Sequence, residues 1–264
     1  MLEIEHPVDA VAAEHRRHEL GPRAMFVGGG TALQLAWGAS TPALTLLDVT
    51  RLPQAQGIDL TSTTLRLGSA TPLETLRRDP RVGRHAPMLV QACESLAALG
   101  IRHRATLGGN IGWGFGDTLA ALLALDARGE LPDGEQPPLH TLIRRDTLPL
   151  LTAVHIGLGR VAAIAFFEKI GLRAAFSPSR LALAFVAGRD DAGRLTDVRA
   201  AACGVGLRAR RLAQVERLLA SSPSAAITPA MRVSACAADL DGQQALARLA
   251  SRVLTGHLDA ATAR

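Results

Sequence analysis

Two glycine-rich segments are the residues of this sequence best suited to chemistry, because their backbone can hold a charged ligand. The first runs from Gly28 to Gly30 and continues into Thr31. The second lies between Thr106 and Asp117 and contains five glycines, at positions 108, 109, 112, 114 and 116. Glycine allows close approach and positive φ, so successive N–H groups can point at a phosphate. Since each segment precedes an apolar helix, the two together predict a diphosphate bound between them.

The usual nucleotide signatures are absent from both segments. The first lacks the third glycine of G-x-G-x-x-G, and no acidic residue follows at the distance of a ribose contact. Neither segment has the lysine of a G-x-x-x-x-G-K-[ST] loop. The sequence therefore predicts a dinucleotide held outside the Rossmann arrangement. It also has no G-x-S-x-G, no H-E-x-x-H and no convincing cysteine–histidine pair, so we predict no catalytic acid, base or nucleophile on this chain.

The remaining cysteines and histidines give weaker signals. Cys93, Cys203 and Cys236 are widely spaced and form no C-x-x-C. This favours buried free thiols over a disulfide framework or an iron–sulfur cluster. His15 and His18 share a helix face, but no third ligand accompanies them, so we predict no metal site.

Lys169 is the single lysine beside 28 arginines. Lysine carries a compact point charge and arginine a broad planar fork, so a site shaped for lysine would resist the exchange. The alternative is that this lysine has survived by chance. Lys169 is therefore a candidate for a specific role.

Composition narrows the classes of partner. The chain has 264 residues, 48% of them hydrophobic, which is enough for a buried core. Its net charge is +5, but the arginines are scattered and only 3% of residues are aromatic, which disfavours nucleic acid and fits an acidic protein partner. The arginine-rich helices after Arg208 are candidates for contacts with other subunits. No apolar run reaches the roughly 20 residues of a transmembrane helix, and the first residues do not resemble a signal peptide, so we predict a cytoplasmic protein.

The elements that position these residues alternate between strand and helix. We predict strands over residues 23–27, 43–49 and 65–68, and a hairpin that pairs 181–187 with 195–202. A helix from Pro87 to Leu99 is expected to stop at Gly100. The helices after Arg208 are expected to break around Pro223. A boundary near Arg160 divides the chain into domains of residues 1–160 and 161–264.

Four stretches of the sequence are similar, in the same order, to segments of one protein family. The stretch IRHRATLGGN resembles the QIRNRATIGGN segment of the FAD-binding medium subunits of xanthine dehydrogenase, aldehyde oxidoreductase and carbon monoxide dehydrogenase. FVGGGTALQL resembles their AGGTDLL loop, DVTRLPQAQGI their DLSRLPELRGI, and DTLAALLALDA their SDLAPALLALDA. Similarity continues through PLLTAVHI and FFEKIGLRAAF, so the resemblance covers most of the first 200 residues.

This resemblance implies an α+β fold. Residues 1–160 would form a vanillyl-alcohol-oxidase (PCMH)-type FAD-binding domain of two α/β subdomains, and residues 161–264 a small C-terminal α+β domain like that of CO dehydrogenase flavoproteins. It implies FAD as the cofactor and a heterotrimer, in which a large subunit holds molybdopterin and a small subunit holds the [2Fe-2S] clusters. The chain would be the flavoprotein subunit of this oxidoreductase. It would pass electrons from those clusters through FAD to an external acceptor.

The resemblance also implies which residues contact the cofactor. The pyrophosphate would be bound by backbone N–H groups of Val27, Gly28, Gly29, Gly30, Thr31, Ala32 and Leu33, with the Thr31 hydroxyl. Thr106, Gly109 and Asn110 would form a second wall. Asp117 would accept hydrogen bonds from the ribityl chain or nearby groups, although it could also cap the following helix. Lys169 would lie near the flavin.

The second glycine segment departs from the family pattern. It is shorter than GGNIANASPISD, has lost the serine-proline, and carries Trp113 and Phe115 instead. Either its extra glycines cover the diphosphate, with an aromatic ring near the adenine or the flavin, or FAD binding has weakened. Two alternatives to the electron-transfer subunit follow. One is a scaffold subunit of the same complex without FAD, and the other is a self-sufficient flavin oxidase, for which the residues after Arg160 leave little room for a substrate domain.

Overall fold

The computed structural model of this chain describes residues 1–38, 42–160, 162–173, 177–222 and 226–262. Helices and strands alternate in an α+β architecture. The strands are β1 (Glu3–Glu5), β2 (Ala24–Val27), β3 (Thr45–Asp48), β4 (Ile58–Leu60), β5 (Thr64–Gly68), β6 (Arg128–Glu130), β7 (Ala153–Gly157), β8 (Ile164–Gly171), β9 (Ser179–Arg189), β10 (Leu195–Gly204) and β11 (Leu207–Arg211). The helices are α1 (Ala10–Leu20), α2 (Leu33–Trp37), α3 (Leu73–Arg78), α4 (Pro80–His85), α5 (Pro87–Glu94), α6 (Leu99–Arg104), α7 (Leu107–Gly112), α8 (Asp117–Ala124), α9 (Leu139–Leu142), α10 (Ala213–Ser221), α11 (Pro229–Asp239) and α12 (Gln244–Thr262).

The first sheet is parallel and has the strand order β1-β3-β2. Strands β1 and β2 both run parallel to β3, which lies between them, so they cannot be joined by a tight hairpin, and α1 makes the crossover from β1 to β2. This helix starts where the side chain of Asp9 accepts a hydrogen bond from the Ala12 N–H at 2.7 Å. The first glycine segment follows β2 directly, so the sheet presents it at the carboxyl end of that strand.

The second sheet is antiparallel and has the order β4-β5-β7-β6. Side chains alternate along β5, so Leu65 and Leu67 are fully buried beneath the helices. Arg66 lies on the opposite face, where it binds the Glu130 carboxylate at 3.1 Å, and His155 Nε2 lies 2.6 Å from the same carboxylate. Burial alone would raise the pKa of Glu130, but the hydrogen bonds from Arg66 and His155 lower it to about 2.

The third sheet is antiparallel with the order β11-β10-β9-β8, and it confirms the predicted hairpin, which is formed by β9 and β10. On one face of β9, Leu181, Leu183 and Phe185 contribute to the core beneath α10, α11 and α12. On the other face, Ala182 and Ala184 join the core that contains α8. Small side chains on that face allow the helix to approach the sheet closely.

Helix α8 is enclosed on all sides, since each of its eight residues is buried. It contacts β9, β10 and β11 on one side and α5 on the other. A helix that is apolar around its whole circumference is expected to be buried in this way. Helix α8 therefore lies between α5, which packs in the same core as the second sheet, and the strands of the third sheet.

The prediction of one helix from Pro87 to Leu99 is wrong at its C-terminal end. Helix α5 stops at Glu94, and Gly100 lies inside the next helix, α6. Between them Ala97 has a φ of 43°, which breaks the helix. The reason lies outside the local pattern, because the Arg102 guanidinium donates a hydrogen bond to the Ala97 carbonyl at 2.8 Å and holds this turn.

The chain passes from the second sheet to the third between Gly157 and Ile164, and the boundary near Arg160 stays a prediction. Pro223, where the break in the C-terminal helices was expected, lies outside the described residues. Within the described ranges, no helix has both the length and the apolar character that crossing a membrane requires.

Candidate functional site

The two glycine-rich segments lie against each other at the carboxyl end of β2. A Cβ atom at Gly28 would overlap the Thr106 hydroxyl, and one at Gly29 would overlap the Arg104 carbonyl oxygen. Glycine is therefore required at both positions by the close approach of residues 104–106, which lead into the second segment. The structure brings together the two segments that the sequence predicts to surround a diphosphate.

The first segment offers hydrogen-bond donors. Gly30 has a φ of 69°, in the left-handed region, and turns the chain before α2. The backbone N–H groups of residues 29–32 form no hydrogen bond with any residue that the structure describes. Thr31, Ala32 and Leu33 are half-buried. Neighbouring N–H groups in such a turn attract an oxyanion, so this segment fits a phosphate group.

The second segment has its first N–H groups committed to the protein. Leu107 N–H donates to the Thr71 carbonyl at 3.0 Å, and Gly108 N–H donates to the Ser69 carbonyl at 2.7 Å. Gly109 N–H donates to Thr106 Oγ1 at 3.2 Å, which makes Thr106 the N-cap of α7. The start of the second segment is therefore fixed to the protein, whereas the N–H groups of residues 29–32 and of residues 115–117 form no hydrogen bond within the described part of the chain.

Asn110 ties the shortened loop to α8. Its Oδ1 accepts hydrogen bonds from the Thr118 hydroxyl at 2.5 Å and from the Thr118 N–H at 3.3 Å. A Cβ at Gly116 would overlap the Asn110 side chain, so this glycine also permits a close contact. Gly116 is the N-cap of α8, and Asp117 is the first residue inside the helix. Asp117 is thus not the N-cap.

Asp117 and Lys169 contact each other directly. Lys169 Nζ lies 2.6 Å from Asp117 Oδ2, although the residues are 52 positions apart in the sequence. The same carboxylate accepts a hydrogen bond from the Ser179 hydroxyl, and Lys169 Nζ also donates to the Ser95 carbonyl at 2.9 Å. The side chains of Lys169 and Asp117 are only 14% and 7% exposed.

This arrangement accounts for a lysine at position 169. The ammonium group sits between a carboxylate and a carbonyl oxygen contributed by different elements. A compact, three-donor point charge fits between two such acceptors, whereas the planar fork of arginine needs more room. The structure therefore gives Lys169 a specific contact within the chain.

A buried carboxylate fixes the backbone that meets the first glycine segment. Glu74 is 1% exposed and binds the guanidinium groups of Arg77, Arg78 and Arg102. Its pKa lies well below the usual range, because the hydrogen bond from Arg77 outweighs the effect of burial and the other two arginines add to it. Arg102 belongs to α6, which ends at Arg104, the residue whose carbonyl faces Gly29.

The aromatic residues of the shortened loop lie partly at the surface. Trp113 is 40% exposed and meets Phe115 edge-on, with ring centroids 6.4 Å apart. Between them, the Gly114 carbonyl accepts a hydrogen bond from Ala209 N–H on β11 at 3.2 Å. The loop therefore rests on the third sheet. The placement of an aromatic ring beside the adenine or the flavin stays a prediction.

Two residues of this site, Ser179 and Arg102, are not among those predicted from the sequence. Ser179 has a weak signal, since it is a polar residue at the start of an otherwise apolar strand. Arg102 lies inside the IRHRATLGGN stretch, but nothing in that stretch indicates that its partner is Glu74. Both act through contacts between distant parts of the chain.

Comparison with known sequences gives one family match and related curated proteins. The family described as "FAD binding domain in molybdopterin dehydrogenase" matches residues 5–142. The putative xanthine dehydrogenase FAD-binding subunit XdhB of Escherichia coli K12 is 35% identical over 114 residues, which is 42% of this chain and 39% of that protein. The matched segment thus spans about two fifths of the length of this relative.

Comparison with solved structures covers nearly the whole chain. A carbon monoxide dehydrogenase from Hydrogenophaga pseudoflava has a chain with a TM-score of 0.81 and 23% identity, over 99% of this chain and 97% of that chain. The reconstituted CO dehydrogenase from Oligotropha carboxidovorans gives a TM-score of 0.83 and 20% identity, over 100% of this chain and 98% of that chain. At these identities the likeness concerns the fold, and it confirms the predicted α+β class.

Proposed function

Because this chain belongs to the family of FAD-binding domains of molybdopterin dehydrogenases, we propose that it is the FAD-binding, electron-transferring subunit of a molybdenum hydroxylase complex. One observation carries the proposal. The N–H groups of residues 29–32 form no hydrogen bond with any described residue, and they follow Gly28 and Gly29, where the chain around Thr106 approaches so closely that a side chain would overlap it. Such a turn binds a phosphate without a lysine or a metal ion.

The residues of this chain would bind and orient the cofactor. Residues 29–32 would hold the diphosphate oxygens through their N–H groups, with Val27 and Leu33 at either end of the segment and the Thr31 hydroxyl as a further donor. Thr106, Gly109 and Asn110 would form the facing wall. Their own polar groups are largely bonded within the chain, so they contribute shape and rigidity.

The Asp117–Lys169 pair would supply charge to the site. Bound FAD accepts and releases electrons, and the protein contributes position and electrostatics. A lysine held by a carboxylate and a backbone carbonyl is a positive charge fixed in place, and such a charge stabilises negative charge that develops on a neighbouring group. Asp117 would act by positioning Lys169, and its hydrogen bond with the ribityl chain stays a prediction.

The chemistry of the substrate would belong to other subunits. Among the described residues of this site, Asp117 and Lys169 bind each other, and the polar groups of Thr106 and Asn110 form hydrogen bonds within the chain. We therefore infer that a molybdenum-containing large subunit oxidises the substrate, that a [2Fe-2S] subunit delivers the electrons, and that this chain passes them to an external acceptor. The name of the E. coli relative, a FAD-binding subunit, agrees with this division of labour.

FAD binding by the full-length chain tests the proposal. We expect the purified chain to be yellow, to release FAD on denaturation, and to take FAD up again in a fluorescence titration. Gly28→Ala should weaken binding at least 100-fold, because its methyl group meets Thr106. The control is Gly83→Ala, at an exposed helix position with open space around it. Unfolding curves of both variants separate lost binding from lost fold.

The scaffold alternative has one observation in its favour, namely that the N–H groups of residues 107–109 are all bonded within the chain. A colourless wild-type chain that unfolds cooperatively and does not bind added FAD would establish the scaffold and overturn the proposal. Equal FAD affinity in Gly28→Ala and wild type would place the cofactor elsewhere.

A further inference from the structure

Two pairs of arginines after Arg208 differ in their contacts. Arg210 binds Asp241 at 2.7 Å, and Arg211 binds Glu216 at 2.5 Å, so both are occupied within the chain. Arg248 and Arg252 are exposed and form no ion pair or hydrogen bond with any described residue. They lie four positions apart on α12 and therefore on the same face of that helix.

The two unpaired arginines border a groove between α11 and α12. The groove has a volume of about 880 Å³ and is lined by small side chains, among them Ser234 and Ala237 of α11 and Thr255 of α12. No acidic side chain is among the lining residues. The groove is therefore a basic, shallow channel whose floor allows the close approach of another backbone.

Ser251 adds an independent feature to the floor of this groove. Its side chain lines the groove, and the residue is only 4% exposed. Its hydroxyl has no hydrogen-bond partner within the described part of the chain, although the neighbouring Thr255 hydroxyl donates to the Ser251 carbonyl at 2.8 Å. Because the hydroxyl oxygen itself is not sealed from solvent, it can form a hydrogen bond with a water or a ligand in the groove.

We propose that the α11–α12 groove binds an acidic helical segment of a partner polypeptide. Carboxylates one helical turn apart, about 6 Å along the axis, match the spacing of Arg248 and Arg252. A backbone or small polar group of the same segment would reach Ser251. A second copy of this chain is a poor occupant, since its net charge of +5 opposes approach to a basic surface. The inference goes beyond FAD binding and does not depend on it.

Peptide binding to the full-length chain tests this site. The probe is a fluorescein-labelled, alanine-rich helical peptide with glutamate pairs four residues apart, followed by fluorescence anisotropy. We expect the corresponding glutamine peptide to bind at least tenfold more weakly. Arg248→Glu with Arg252→Glu should also lose at least tenfold in affinity for the glutamate peptide, and should instead bind a peptide with lysines at the same places.

Two further variants distinguish binding in the groove from nonspecific attraction of the peptide to a positively charged protein. Arg84→Glu with Arg145→Glu makes the same charge change at exposed arginines elsewhere and should bind the glutamate peptide like wild type. Ser234→Leu fills the groove without changing the charge and should weaken binding. Thermal unfolding confirms that each variant is folded.

Three outcomes overturn the inference. The first is equal affinity of wild type and the double Arg248→Glu, Arg252→Glu variant for the glutamate peptide. The second is a wild-type dimer in sedimentation that the same double variant dissociates, which would make a second copy the occupant. The third is tighter binding of a single-stranded oligonucleotide through the same two arginines, which would make the surface a nucleic-acid site.

Discussion

The Asp117 carboxylate is held by groups from two strands of the third sheet, Lys169 on β8 and Ser179 on β9. Lys169 in turn binds the Ser95 carbonyl just after α5. Removing one member of such an enclosed pair leaves an uncompensated charge, whereas removing both can cost little. The pair therefore matters more for geometry than for net stability, and it fixes where one positive charge sits.

A double-mutant cycle on this pair gives the first residue-scale prediction. Lys169→Met and Asp117→Asn should each lower the free energy of unfolding by about 3 kcal/mol, and the double variant should lose clearly less than the sum. The measurement is urea denaturation at neutral pH. Arg194→Ala is the control, because it breaks an exposed pair with Asp190 and should cost less than about 1 kcal/mol. Strictly additive losses would show that the two side chains do not interact.

At the scale of elements, the corner between α5 and α6 determines where the second glycine segment begins. Arg102 joins three parts of this corner, since it binds Glu74 on α3 at 3.0 Å and the carbonyls of Leu96 and Ala97 at 3.0 and 2.8 Å. The next residues lead to the Arg104 carbonyl that meets Gly29. Replacing Arg102 should therefore alter the contact between Arg104 and Gly29, although Arg102 itself does not belong to either glycine segment.

Arg102 and Arg78 make a matched comparison, because both bind Glu74 but their side chains are 15% and 63% exposed. Arg102→Ala should lower the free energy of unfolding by about 3 kcal/mol, since it leaves a buried carboxylate and two carbonyls short of a donor. It should also weaken FAD binding. Arg78→Ala should cost less than about 1 kcal/mol and leave FAD binding unchanged. Chemical denaturation and FAD titration of both variants check this, and equal losses would refute the role given to Arg102.

The sequence predicts those helices and strands that are determined by neighbouring residues. The strands around residues 23–27 and 43–49 and the β9–β10 hairpin follow from apolar runs and turn residues, and the structure confirms them. The sequence also predicts that the two glycine segments lie close together, as they do, whereas the diphosphate between them stays a prediction. The sequence does not predict the end of α5 or the Asp117–Lys169 pair, since they depend on side chains of other elements. The first depends on Arg102 of α6, which Glu74 of α3 holds, and the second on Lys169 of β8. The resemblance to the family indicated Asp117 and Lys169 as separate cofactor contacts, and it did not indicate that they bind each other.

At the scale of the whole molecule, α8 connects the parts of the chain. Its first residue binds Lys169 of β8, and just past its end Asp126 lies 3.3 Å from the Arg160 guanidinium. Between these points the helix packs on the alanine-lined face of the third sheet. One apolar core therefore includes residues from both predicted domains, so the boundary near Arg160 separates sheets more clearly than it separates folding units.

A fragment of residues 1–160 tests this view. Without the third sheet, the face of α8 that meets Ala182 and Ala184 becomes exposed, and Asp117 loses Lys169. Burying such an apolar face supplies much of the stability of a domain, so the fragment should bind a hydrophobic dye and unfold without a cooperative transition. Calorimetry of the full chain should show one transition, and adding residues 161–264 in trans should restore cooperativity to the fragment. Cooperative unfolding of residues 1–160 alone would show instead that α8 belongs to an independent domain, whose contact with the third sheet is an ordinary interface.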